Sequence, residues 1–203
     1  MTLALESRTE DPFGTLADRV RELEGQVAAL RAAGGEGTAI VRGADRVDRL
    51  SMIVFSGSLD RLIAAFVLAT GASSMGMEVD MFFTFWGTAA LRKDNVHVPK
   101  SFMERMFGWM LPKGSTKLPL SQMNMAGMGP VMIRGIMKKK GVASLEEMIA
   151  LSSELGVKIN VCTMSMDLLG MREGEMIQYP GLSYCGVATF LETAAPGKLT
   201  LFL

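Results

Sequence analysis

The spacing of hydrophobic and polar positions changes several times along the chain, and each change marks an element. Leu16, Val20, Leu23, Val27 and Leu30 recur at alternating spacings of four and three, with Asp18, Arg19, Arg21, Glu22 and Arg31 between them. This is an a/d heptad seam and predicts a short helical, coiled-coil-like arm. So short a helix is marginal alone in water, so it pairs with a second copy or docks on its own domain. Gly34, Gly35 and Gly37 end it as a flexible joint. Residues 1–37 are therefore read as an N-terminal arm and 38–203 as a globular domain.

Within that domain, Leu50-Ser-Met-Ile-Val-Phe-Ser56 predicts a buried strand stopped by Gly57. Residues 59–75 predict a helix with Asp60 in its first turn, and residues 78–85 a second apolar strand. Strand, helix, strand at this spacing is a parallel βαβ unit with a right-handed crossover. After a helical turn at 89–92 and a loop to Pro99, a methionine-rich insertion spans about 101–140, with helices expected at 101–110 and 130–140. Ser144-Leu-Glu-Glu147 is a capping box opening a helix that runs to Leu155. A strand is expected at 157–161, with Cys162 at its end and another helix starting after it. A loop around Tyr179-Pro-Gly181, a helix from about 183 to 193 and a strand at 199–203 complete the order. The alternation predicts a three-layer α/β sandwich with a mainly parallel sheet.

Composition narrows the function. A chain of 203 residues holds one well-buried core plus an arm. The net charge of zero gives no electrostatic reason to expect nucleic acid. A hydrophobic content of 49% requires a large core, an oligomer interface or contact with a membrane. The most apolar run, 62–77, contains Gly71, Ser73 and Ser74 and falls short of a spanning helix. Glu6, Arg8, Glu10 and Asp11 stand where a secretory signal would need apolar residues, which predicts a cytoplasmic protein. The single histidine, His97, lacks ligand spacing and reads as a loop residue. Ser56-Gly57-Ser58 joins strand to helix without GxGxxG or a Walker lysine, so no nucleotide cofactor is expected, and a single histidine counts against a conventional zinc site.

In a reducing compartment the two cysteines are fillers or reactive groups rather than a staple. Strand ends in an open α/β sheet form a crevice, and the helix that follows presents unpaired N–H groups there. Cys162 is the catalytic candidate on that ground, since a thiol attacks as its thiolate. Thr163 and Ser165 are candidate donors to a thiolate or to the terminal sulfur of a persulfide. Local chemistry alone leaves Cys162 balanced between a reactive and a buried thiol. Cys185, near a predicted helix start, is a candidate second thiol, though no CxxC spacing links it to Cys162. Two rival readings follow from the same residues. Met123, Met125 and Met128 with Cys162 would suit copper(I), which prefers soft sulfur ligands. A redox pair of Cys162 and Cys185 would require Cα atoms within about 7 Å.

Five segments together resemble the larger branch of the DsrE/DsrF-like family over about 50–203. They are Phe107-Gly-Trp-Met-Leu-Pro-Lys113, Met123-Asn-Met-Ala-Gly-Met-Gly129, Gly135-Ile-Met-Lys-Lys-Lys-Gly141, Cys162-Thr-Met-Ser-Met-Asp-Leu-Leu-Gly170 and Gly186-Val-Ala-Thr-Phe190. The resemblance implies a flavodoxin-like fold and a cytoplasmic sulfur carrier or sulfurtransferase, in which a cysteine accepts sulfane sulfur as a persulfide and passes it on. It implies rhodanese-like or TusA-like partner proteins, a homo-oligomer (trimer, tetramer or hexamer) and, as in some relatives, peripheral membrane association. Cys162 fits the family's cysteine motif. Cys185 stands where the family has a small residue, so no family role is carried onto it.

Overall fold

The computed structural model describes residues 18, 19, 21–25, 46–94, 96, 98, 106, 108 and 110–203. Most of the heptad seam, the glycine joint, His97 and most of the helix expected at 101–110 lie outside them. The chain divides into units at Met1–Arg42 and Gly43–Leu203. In the first, residues 18, 19 and 21–25 are helical, and Leu23, a member of the seam, is exposed.

The second unit runs β1 (Val47–Val54), α1 (Leu59–Ser74), β2 (Glu78–Phe83), α2 (Met128–Lys140), α3 (Leu145–Glu154), β3 (Lys158–Cys162), α4 (Thr163–Leu168), β4 (Leu182–Cys185), α5 (Val187–Ala194) and β5 (Gly197–Phe202). The five strands form one sheet in the order β4-β3-β2-β1-β5, and every neighbouring pair is parallel. With helices on both faces this is the expected flavodoxin-like three-layer sandwich. The sequence added β2, β3 and β4 successively on one side of β1, then returned to place β5 on the other. Since crossovers are right-handed, that reversal puts α5 on the opposite face from α1 and α3.

The period of two along each strand sorts side chains between the faces. Met52, Met81 and Ile159 face α1 and α3 and pack in the main core with Leu62, Phe66 and Leu145. On the other face Phe82 packs with Phe190 and Ala194 of α5. The apolar run at 62–77 is mostly α1, which buries Leu62, Ala65, Phe66 and Ala69 and exposes Val67 and Leu68. Among the described residues no helix is long and apolar enough to cross a membrane. The capping box forms as predicted: Ser144 Oγ accepts from Glu147 N at 3.2 Å, and Ser144 N donates to Glu147 Oε2 at 2.7 Å.

Two expectations are corrected. The helix placed from 183 begins as strand β4, because Leu182 and Tyr184 turn into the main core while the backbone pairs with β3. The helical turn expected at 89–92 is a longer 3-10 segment, Phe85–Leu91, and β2 ends before it. Gly87 in that segment crosses directly over β1: its N–H donates to Phe55 O at 2.9 Å, and its Cα passes so close that a Cβ would meet Val54 O at 2.4 Å.

Methionines of the insertion do not fill the core where its chain is irregular. Met123, Met125 and Met128 are exposed. Met123, Met125 and Ala126 have φ of 55°, 45° and 53°, a left-handed region that disfavours side chains. Ser121 N donates to Asp60 Oδ1 at 2.8 Å and so ties this loop to α1.

Candidate functional site

The site lies at the C-terminal ends of β3 and β4, on the face covered by α5. Cys162 is the last residue of β3 and the N-cap of α4. Its side chain is 2% exposed and packs in a small apolar cluster with Phe82, Phe190 and Ala194, against which Ile53 and Cys185 also lie. The Phe82 and Phe190 rings stack with centroids 4.7 Å apart. Phe190 thus roofs the cluster from α5 while Phe82 floors it from the sheet.

Cys185, the last residue of β4, is the register partner of Cys162. Paired residues in parallel strands point to the same face with backbones about 4.8 Å apart, so the two thiols stand side by side. That spacing lies inside the limit set for a bridge. The two differ in access: Cys162 is buried and Cys185 half-buried. Exposed Met164 and Leu168 follow the first thiol on α4, and exposed Val187 and Leu191 follow the second on α5.

Burial, and next the neighbouring Cys162, push the Cys185 thiol above its ordinary value. Alkylation of Cys185 by iodoacetamide is therefore expected to be slow at neutral pH and to climb as pH rises past the ordinary thiol value. Cys162→Ser removes the second cause and should move that midpoint down. A pH profile of peptide-resolved alkylation checks both; a midpoint at the ordinary value in the intact protein would contradict the upward shift, and one unmoved by Cys162→Ser would contradict the coupling.

Below the thiols the same face turns polar. Ser183 Oγ donates to Asn160 Oδ1 at 2.6 Å. Further down, Asp80 is 2% exposed with Oδ2 3.3 Å from Arg49 Nε. Burial pushes the Asp80 carboxyl up from its ordinary value against the pull of Lys158 and Arg49. Arg49 Nη1 in turn donates to Thr193 O at 2.7 Å and so fastens α5 over the sheet.

The residues singled out from the sequence separate in space. Ser165 is fully buried, and its hydroxyl shares a hydrogen bond of 2.8 Å with Thr84 Oγ1. Thr163 is exposed. Among the described residues the hydrogen bonds bring neither hydroxyl to the Cys162 sulfur. Met123 and Met125 belong to the loop tied to α1 and Met128 opens α2 directly after it, whereas Cys162 faces α5, so the copper(I) reading is not assembled. No group of three or more His, Cys, Asp or Glu side chains among the described residues could hold a metal ion. Sequence reasoning missed Phe82, Phe190 and Thr84. Phe190 stood in one of the family-like segments, but its position over Cys162 requires the return of the chain to the other face.

What this arrangement can do follows from its parts: two thiols in adjacent register, one of them shielded by aromatic rings, can hold sulfur at a protected atom beside a more accessible one. Comparison with known proteins agrees with sulfur chemistry. The model of the DsrE/DsrF/DrsH-like family matches residues 46–202. YrkE of Bacillus subtilis (strain 168) is 45% identical over 160 residues, 78% of this chain and 99% of its own length. Sulfur carrier protein DsrE2 of Allochromatium vinosum is 38% identical over 160 residues, 76% of this chain and 98% of its own.

Proposed function

The chain belongs to the DsrE/DsrF/DrsH-like family, and from that premise we propose that it carries sulfane sulfur as a persulfide on Cys162 and hands it to a partner protein. The relative named a sulfur carrier supports the general role. The observation that carries the assignment to Cys162 is its position at the end of the interior strand β3 inside an apolar cluster, 2% exposed. Persulfides are lost to any thiol that reaches them, because exchange depends on access to the sulfur attacked. A carrier therefore needs a sheltered sulfur, and the Phe82–Phe190 stack shelters this one.

Such a protein works between a donor and an acceptor, for which rhodanese-like and TusA-like proteins have the matching chemistry. Thr163 and Ser165 enter this reading as neighbours of the carrier cysteine, with Ser165 and Thr84 fixing the first turn of α4. The cytoplasm and a homo-oligomer complete the proposal.

Full-length protein treated with polysulfide, desalted and digested should carry one added sulfur on the peptide containing Cys162. Cys162→Ser should retain no stable added sulfur. Equal retention by both proteins would overturn the assignment.

A further inference from the structure

A sheltered sulfur poses a problem of entry, and the strand register offers a route. Cys162 is buried, whereas its register partner Cys185 is half-buried on β4, an edge strand of the sheet. An S–S bond is about 2.05 Å, so a sulfur atom passing between two thiols spans about 4 Å, close to the inter-strand spacing of about 4.8 Å. Side-by-side cysteines on one face of paired strands therefore match the separation that one sulfur atom bridges in transit.

We propose that Cys185 is the exchange thiol through which sulfane sulfur enters and leaves, and that Cys162 is the protected store. This rests on the reading of Cys162 as the persulfide carrier and adds a second residue to it. In the first step the Cys185 thiolate attacks the terminal sulfur of a donor persulfide. An S–S bond forms on Cys185, the donor's own S–S bond breaks, and the donor thiolate leaves with the electron pair. In the second step Cys162 attacks the terminal sulfur now on Cys185. The S–S bond to Cys185 breaks as that to Cys162 forms, and the proton of the Cys162 thiol ends on the departing Cys185 thiolate. Persulfide and thiol are exchanged with no net oxidation or reduction, so no further reactant is needed. Release runs the same steps backwards toward an acceptor thiol.

The atom attacked separates this from a redox cycle of the same two cysteines. Attack on the outer sulfur moves it along; attack on the inner sulfur would instead close a Cys162–Cys185 disulfide and expel hydrosulfide.

The test follows sulfur in time. Full-length protein is mixed with polysulfide, quenched at intervals by alkylation, and the peptides containing Cys162 and Cys185 are weighed separately. In the intact protein added sulfur is expected first on Cys185 and then, as that signal falls, on Cys162. Cys185→Ser and Cys185→Ala should each slow loading of Cys162 by about tenfold or more, since the buried thiol is then reached only when the cluster opens. Cys162→Ser should load Cys185 and lose the sulfur quickly to added glutathione. The loading rate of the intact protein should also follow the pH profile of Cys185 alkylation. Loading of Cys162 at the normal rate in both Cys185 variants would overturn the relay and leave the carrier reading standing. No sulfur on Cys162 in any form would overturn both, and a disulfide with released hydrosulfide would overturn the relay in favour of a redox pair.

Discussion

Phe190→Ala should both destabilise the domain and uncover its buried thiol. Phe190 is 1% exposed and stacks on Phe82 with an interplanar angle of 17°. Deleting a buried phenylalanine ring typically removes about 3–5 kcal/mol, of which the ring pair itself supplies about 0.5–1.5. The site cannot collapse easily, because its floor is a sheet and its roof a single helix held by Arg49 and by the chain on either side of α5. Urea unfolding measures the first effect. Peptide-resolved alkylation measures the second, with Cys162 expected to react about tenfold faster or more once the ring is gone, as access limits the reaction. Phe190→Leu keeps most of the volume and should lose less than about 1.5 kcal/mol while leaving Cys162 protected. If alanine left the alkylation rate of Cys162 unchanged, the shelter would lie elsewhere.

Gly87→Ala should be nearly as damaging for a different reason. The added Cβ would lie 2.4 Å from Val54 O and 3.2 Å from Val54 C. Both are backbone atoms of a strand paired on its two sides, and Val54 O already accepts from Thr84 N at 3.1 Å. No side-chain rotation relieves the clash, so a loss near the upper end of the overpacking range, about 3 kcal/mol, is expected in urea unfolding. Gly71→Ala in α1 provides the opposite sign. Nothing lies within 4 Å of a Cβ there, and a helix-interior glycine replaced by alanine should gain about 0.5–1 kcal/mol. Equal effects at the two positions would mean that the segment after β2 yields where the structure shows it pressed against β1.

The sequence disclosed what depends on local period and on single motifs. The buried runs of β1, β2 and β3, the helix after Gly57 and the box at Ser144 were all legible, because each signal is contained within its own segment. Strand β4 was not read as a strand. Leu182 and Tyr184 alternate with Ser183 and Cys185 between Gly181 and Gly186, which is a strand signal, but four residues are too few to outweigh the helical pattern that follows. That one omission hid the pairing of Cys162 with Cys185, which depends on register between strands and leaves no trace in the spacing along the chain. The same limit applied to Ser165: its nearness to Cys162 in sequence suggested a donor, whereas the α-helical turn directs its hydroxyl to Thr84, the residue after β2. Family-like motifs singled out Cys162 without revealing what covers it.

Because β5 completes the sheet beside β1 and α5 covers the thiol, the domain cannot finish folding early in its own synthesis. The strand made first must wait for the strand made last, a pairing of high contact order that also makes folding slow. Until α5 has been made and docked, Cys162 has no aromatic roof above it, and β1 presents an open edge where β5 will dock. For that interval the nascent chain carries a bare thiol and an unpaired strand together, and chaperone protection during translation matters more to this domain than its compact final sheet would suggest.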